Sequence, residues 1–330
     1  MVGLEQAWPD ARVVDLPGVL DDGSVYTPLL YLDATTSLGV ALTADGSFDR
    51  LLLRRVDGPV REVRRIRHDD LPQFLGSTRA GDWLYWAEST APQDGLSRNQ
   101  LWRWRLGDDE APQVLTTDTG AAVFYETQFD LAVAEGRISW LAAAPGDTAV
   151  TELRSMLVDG GPVTIRTVPG VYQMTAWPWL YTAPGPRQAR TELVNVTTGG
   201  RRTLSVAATA TLSCTPAWCL SIALAGPDGV PTLYELVTPD GSRRLRVGGP
   251  RVSAAIPDVA LLDRFEPVRL AGTAGGIGAQ LALYDIKAAR LVVVADAVGQ
   301  VAGRQGVLWW STGGPQTISW HSLDLTTLTR

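Results

Sequence analysis

"LYELVTPDGSRRLRV", residues 233–247, reads as an apolar strand, a polar turn and a returning strand. Its Asp240-Gly241 pair sits at the reversal, where glycine accepts positive φ and aspartate tolerates it. The same form recurs in "LLLRRVDGPVREVRRI" (51–66), "LWRWRLGDDEAPQVL" (101–115), "LRSMLVDGGPVTIRT" (153–167) and "LVNVTTGGRRTLSV" (193–206). "LYDIKAARLVVV" (283–294) and "SLDLTTLTR" (322–330) continue the series. Successive starts average about 45 residues apart, the repeat of a four-stranded propeller blade.

A second hairpin precedes these. "TRAGDWLYWAES" (78–89), "AVAEGRISWLAAA" (132–144), "MTAWPWLYTA" (174–183) and "AGRQGVLWWST" (302–312) lead from a small or Gly/Pro turn into a bulky strand. Their tryptophans, Trp83, Trp86, Trp140, Trp179, Trp309 and Trp310, are expected to pack between blades rather than to form a cofactor box. Asp-Gly turns occur at Asp22, Asp45, Asp57, Asp94, Asp159, Asp228 and Asp240, and long stretches at helical period are missing. The predicted fold is an all-β propeller of seven four-stranded blades, strands a to d from the inside out. Six blades is the alternative if residues 250–330 pair differently. "ARVVDLP" (11–17) is expected to supply the outer strand of the last blade and so close the ring. Residues 1–10 read as an extension and 11–330 as one propeller domain.

The pattern of "LYELVTPDGSRRLRV" resembles the TolB-like branch of the WD-repeat-like β-propellers, in particular proteins of high-GC bacteria. The Gly-His and Trp-Asp marks of eukaryotic WD repeats are missing. The resemblance implies an extracytoplasmic or envelope protein that binds other proteins, and it brings no catalytic motif onto these residues.

Hydrophobic residues make up 45% of the 330, ample for a core. A net charge of −6 argues against a nucleic-acid binder. One lysine, Lys287, stands against 28 arginines, which reads as a coding bias. No apolar run reaches membrane-span length, and the first residues lack a signal peptide's basic and apolar segments. The expectation is an extracytoplasmic or membrane-anchored full-length protein whose signal or anchor is absent from this sequence. A cytoplasmic protein is the alternative.

Propeller ligands sit at the channel mouth, here the end made by the d-to-a and b-to-c connections. In "AAVFYETQFDLAV" (121–133), alternation on an inner strand would put Phe124, Glu126, Gln128 and Asp130 on one face. Glu126 and Asp130 are candidates for acid/base work, with Tyr125 beside them. The other reading has them bonded to backbone along the channel edge. "PDVALLDRFEPV" (257–268) offers Asp258, Asp263, Arg264 and Glu266. Asp263 and Arg264 read as the turn itself, which leaves Asp258 as the mouth candidate. His68, in "RIRHDDLPQF" (65–74), has Asp69 and Asp70 beside it. It is a candidate proton carrier or a solvated loop residue. His321 reads as structural. "AGTAGGIGAQ" (271–280) runs into a strand rather than a helix, so it is a surface loop, or a lid, rather than a phosphate cradle. The arginines between 54 and 67 read as a charged outer edge, or as a dock for an acidic partner.

Cys214 and Cys219 are the only cysteines. A four-residue turn sets them opposite each other, within reach of a cross-strand disulfide. Free buried thiols, or metal or redox chemistry, are the alternatives. No metal site and no cofactor are expected. The leading functional reading is a non-catalytic binding or scaffold propeller, taking a protein, glycan or small ligand at its mouth. The alternative is a lyase, isomerase or cyclase using Glu126, Asp130, Tyr125 and His68.

Overall fold

In the computed structural model the chain is almost wholly β, and its strands form seven sheets. The structure describes residues 1–91, 95, 97–183, 190–207, 209–226, 228–272 and 278–329. The fold is a seven-bladed propeller of four-stranded blades, not a six-bladed one. No helix among the described residues is long and apolar enough to cross a membrane. The chain divides into two compact units. One holds Val13–Val171 and Gly313–Leu323; the other holds Met1–Arg12, Tyr172–Thr312 and Asp324–Arg330.

In the first unit, blade 1 is Tyr26–Asp33, Thr36–Leu42, Phe48–Arg55 and Arg61–Arg67. Blade 2 is Gln73–Ala80, Trp83–Thr90, Arg98–Arg105 and Gln113–Thr116. Blade 3 follows with Arg137–Ala143, Val150–Leu157 and Thr164–Pro169 outside a broken inner strand. Strands such as "WLYWA" are apolar on both faces because each face meets a neighbouring blade. Leu30, Leu38 and Leu51 pack with Leu84, Trp86 and Trp102. On the other face of blade 2, Tyr85 and Leu101 pack with Ile138, Trp140 and Met156. Trp86 and Trp140 therefore fill inter-blade space, as their spacing predicted.

The Asp-Gly turns have a local cause. At Asp45 the carboxylate accepts from the Thr43 hydroxyl at 2.5 Å and the Ser47 N–H at 3.1 Å, while Gly46 takes φ 74°. "TPDGS" repeats this at Asp240, which accepts from Thr238 at 2.6 Å and from the Ser242 N–H at 3.0 Å, with Gly241 at φ 71°. These hydrogen bonds hold both carboxyls down at about 2. Asp94 lies outside the described residues.

In the second unit, blade 4 is Tyr172–Met174, Trp179–Thr182, Arg190–Asn195 and Arg201–Ser205. Blade 5 is Ala210–Cys214, Cys219–Ala225, Val230–Val237 and Arg244–Gly248. Blade 6 is Val252–Ala254, Phe265–Leu270, Ala279–Asp285 and Arg290–Val298. The first residues pack on blade 6. Val2–Gly3 adds a parallel strand against Val292 and Val293, and Trp8 meets Phe265 edge-on at 5.7 Å.

The inner strands of blade 7, Val301–Arg304 and Val307–Thr312, lie in the second unit. In the first unit, Val13–Pro17 pairs antiparallel with Ser319 to Leu323 and takes the outer position, as expected. "SLDLTTLTR" departs from the predicted hairpin. Asp324 accepts from the N–H and hydroxyl of Thr326, at 2.8 and 2.6 Å, and the chain turns into the 3-10 helix Leu325–Thr329 instead of returning.

The arginines correct two readings. Three of the six between 54 and 67 are neither a bare edge nor a free dock. Arg64 lies 3.8 Å over the Trp102 ring, Arg61 4.8 Å over Trp104, and Arg54 5.4 Å over Tyr26. A stitch to a carbonyl of the next blade recurs. Arg61 donates to the Asp108 carbonyl, Arg103 to that of Val158 at 2.6 Å, Arg202 to that of Pro216 at 3.4 Å, and Arg243 to that of Ile286 at 3.3 Å. A planar guanidinium stacks on an aromatic ring while its edge donates hydrogen bonds, and lysine does not. The arginine excess thus has a chemical use at these joints.

Cys214 and Cys219 are directly opposed on the a-to-b hairpin of blade 5 and form a disulfide, with Cα atoms 4.0 Å apart. It packs with Tyr181, Leu193 and Leu212 in the core between blades 4 and 5. The native, unreduced protein is expected to give no reaction with a thiol reagent. Cys214→Ala/Cys219→Ala should lower stability by at most about 3 kcal/mol, since the closed loop is short. Two thiols titrating without reductant would overturn the assignment.

Candidate functional site

The inner strand of blade 3 is built in two pieces. Ala121–Ala122 pairs with Ala143 and Ala142, and Ala132–Ala134 pairs with Ser139 to Arg137. Residues 124–131 leave the ladder between them, after the Val123 N–H has donated to the Leu141 carbonyl at 3.0 Å. The predicted alternation of Phe124, Glu126, Gln128 and Asp130 on one strand face is therefore not formed. The reason is a cap. One oxygen of Asp130 accepts from the Tyr125 N–H at 3.0 Å and the Thr127 hydroxyl at 3.2 Å, and the other from the Thr127 N–H at 3.2 Å. The Thr127 hydroxyl in turn accepts from the Phe129 N–H at 3.2 Å. Both capping side chains are buried, and Glu126 sits at the bend with φ 61°.

What the excursion presents is aromatic. Phe124, Tyr125 and Phe129 are each half-buried, with Gln128 between them and Glu126 exposed. Phe124 lies where blade 2 has no side chain. Gly76 takes φ 52° at a bulge in that blade's inner strand, and a Cβ there would come within 2.9 Å of the Phe124 ring. The two inner strands interlock at this point. Burial, and then the charge of Asp130, raise the Tyr125 phenol above its usual range, so it keeps its proton at neutral pH.

His68 opens the 3-10 helix His68–Asp70 on the d-to-a connection from blade 1 to blade 2. Its carboxylate partner is neither sequence neighbour. Nδ1 lies 2.7 Å from Asp49, which comes from the start of strand c. His321 is on the third strand of blade 7, 2.7 Å from Asp15 on the N-terminal strand.

Asp258 is buried on the a-to-b connection of blade 6, the end opposite the d-to-a and b-to-c connections. Beside it the structure singles out a group that the sequence reading set aside. Glu266 is fully buried. One oxygen accepts the Ala260 N–H at 2.7 Å, and the other has no partner. Burial, with a smaller push from Asp258, raises its carboxyl to about 8. Its signal was a single acid on a strand, "FEPVRL", that is otherwise mostly apolar. Glu88 was missed in the same way. The Glu88 carboxylate, inside "WLYWAEST", takes a two-pronged bond from Arg64 at 2.7 and 2.9 Å.

A cleft of about 730 Å³ lies on blade 6, beside Met1 and the connection that enters the blade from blade 5. It is walled by Val252, Leu270 and Leu291, with Arg251, Gln280 and Asp296 on its margin. Of "AGTAGGIGAQ", residues 273–277 lie outside the described residues.

No protein-family model matches the chain, and none of the curated proteins matches it. Solved structures do. A puromycin-hydrolysing peptidase of Mycobacterium tuberculosis is 14% identical, with a TM-score of 0.53, over 98% of this chain and 52% of that one. An acylaminoacyl peptidase of Pyrococcus horikoshii is 8% identical, with a TM-score of 0.51, over 74% and 43%. The β-propeller domain of the Trilobed protease from Pyrococcus furiosus is 10% identical, with a TM-score of 0.49, over 74% and 79%. The chain thus spans about half the length of the two peptidase chains. At these identities the likeness is one of fold.

Proposed function

We propose that this is a non-catalytic binding propeller, and that the blade-3 excursion is its contact surface for a protein segment or peptide. The observation that carries the reading is the use made of Asp130. Its carboxylate is spent on holding the bend, and the held bend displays Tyr125 and Phe129 with Gln128 and Glu126 beside them, while Phe124 anchors it against blade 2. Rigid aromatics with a few polar groups suit recognition, because they offer contact area at low entropic cost. His68 is engaged with Asp49 and belongs to another blade, so it adds no general base to Tyr125. The TolB-like pattern supports a protein-binding role, and the peptidase chains that share the fold make peptides the first class to test. A disulfide suits an oxidising compartment, so we place the protein outside the cytoplasm.

A peptide library selected on the purified protein tests this. Binders are expected whose affinity falls about tenfold or more in Tyr125→Ala and in Phe129→Ala, at unchanged melting temperature. Peptides that bind both variants like the parent would sink the surface assignment. Turnover of a substrate that Asp130→Asn abolishes, with the fold intact, would favour the lyase, isomerase or cyclase reading instead.

A further inference from the structure

We propose that the cleft on blade 6, beside the connection that enters it from blade 5, is a separate binding site, and that it takes an apolar peptide end bearing a free carboxylate. The cleft has a structural cause. Strands c and d of blade 6 lose register twice, between Ala279 and Leu281 and between Leu281 and Ala282. Gly278, at φ 102°, then brings backbone close to Ala297, where a Cβ would meet the Ala297 Cα at 2.9 Å. The d-to-a connection forms the facing margin, tied down by the Ala271 N–H donating to the Arg251 carbonyl at 2.9 Å. At about 730 Å³ the space falls in the size range of small-ligand sites.

The chemistry of the margin selects the occupant. The Arg251 guanidinium has no hydrogen bond or ion pair among the described residues. A guanidinium beside apolar walls suits a carboxylate, which it meets through two parallel N–H donors. Asp296 carries the opposite charge on the same margin. One of its oxygens accepts from Gln280 at 2.6 Å, and the other is left to accept again. A dianion such as a phosphate ester would face that carboxylate. A peptide end supplies one negative charge, an amide N–H for Asp296, and an apolar side chain for Val252, Leu270 and Leu291. A fatty acid supplies the charge and the chain but no N–H.

Calorimetry with N-acetyl-Leu-Leu-Leu as the free acid, as its C-terminal amide, and with octanoate tests the proposal. The acid is expected to bind at least about tenfold more tightly than the amide. Arg251→Gln should erase that difference, and the exposed Ala271→Trp should block both peptides. Tyr125→Ala should leave binding unchanged. The proposal is overturned if the acid does not bind, if the amide binds equally, or if Arg251→Gln has no effect. Octanoate binding as tightly as the peptide would overturn the peptide assignment. Loss of binding in Tyr125→Ala would put the probe on the blade-3 surface. Failure there leaves the cleft result standing, and the reverse also holds.

Discussion

Arg64→Ala should destabilise the protein by about 3 kcal/mol, more than any other single arginine removal at the blade joints. The reason is what it leaves behind. Glu88 is 2% exposed and takes both prongs of the Arg64 fork, and Arg64 lies over Trp102, so one deletion empties an ion pair and a stacking contact. Stranding a buried carboxylate costs far more than the pair is worth against an apolar substitute. Glu88→Leu alone should therefore be milder, because Arg64 is 27% exposed and reaches water. The double variant Arg64→Met/Glu88→Leu should come back close to the parent. Urea denaturation of the three variants checks this order. Equal losses in Arg64→Ala and Glu88→Leu would show that stacking, not the stranded charge, sets the cost.

Glu266→Gln is expected to flatten the dependence of stability on pH and to stabilise the protein at pH 8 and above. The folded carboxyl titrates at about 8 because it is buried, with Asp258 adding to the push. In the unfolded chain it titrates near its ordinary 4.5. Between those values the folded state holds a proton that the unfolded state has released, so stability falls as pH rises. The contribution is full below about pH 4.5, is lost as pH climbs to about 8, and amounts to a few kcal/mol. Glutamine keeps the shape and never ionises. Thermal denaturation from pH 5 to 9 reads the difference. Parallel curves for the two proteins would mean that Glu266 is not the titrating group.

The repeat was legible because blades restate one pattern. Asp-Gly turns, apolar returns and a tryptophan strand recur, and each copy corroborates the others. The blade-3 excursion was not, since "VFYETQFD" also satisfies a strand's period of two. Its marker was Thr127-x-x-Asp130, a spacing that lets one side chain cap another's backbone, and it was hidden inside the alternation. Glu266 and Glu88 were passed over for a related reason. A charged residue on a strand suggests an exposed face, but in a sheet covered on both sides it marks a place where a charge is paired or suppressed. The arginines were read as a charge count, whereas their use depends on rings and carbonyls contributed by the next blade. The cleft depends on two register slips that no periodicity reports.

The pairing of Val13–Pro17 with Ser319–Asp324 has a consequence in time. Asp15 meets His321 across 306 positions. During synthesis the first of these strands emerges long before its partner exists. The main strands of blades 1 to 6 pair with their neighbours in sequence and can fold as they appear, while this outer pairing waits for Ser319–Asp324. Until then Val13 to Pro17 is an unsatisfied edge, short and bearing Asp15 and Pro17, two residues that discourage a stray strand from adding to it. A translation stall after blade 6 would thus leave blades 1 to 6 built with Val13–Pro17 still unpaired.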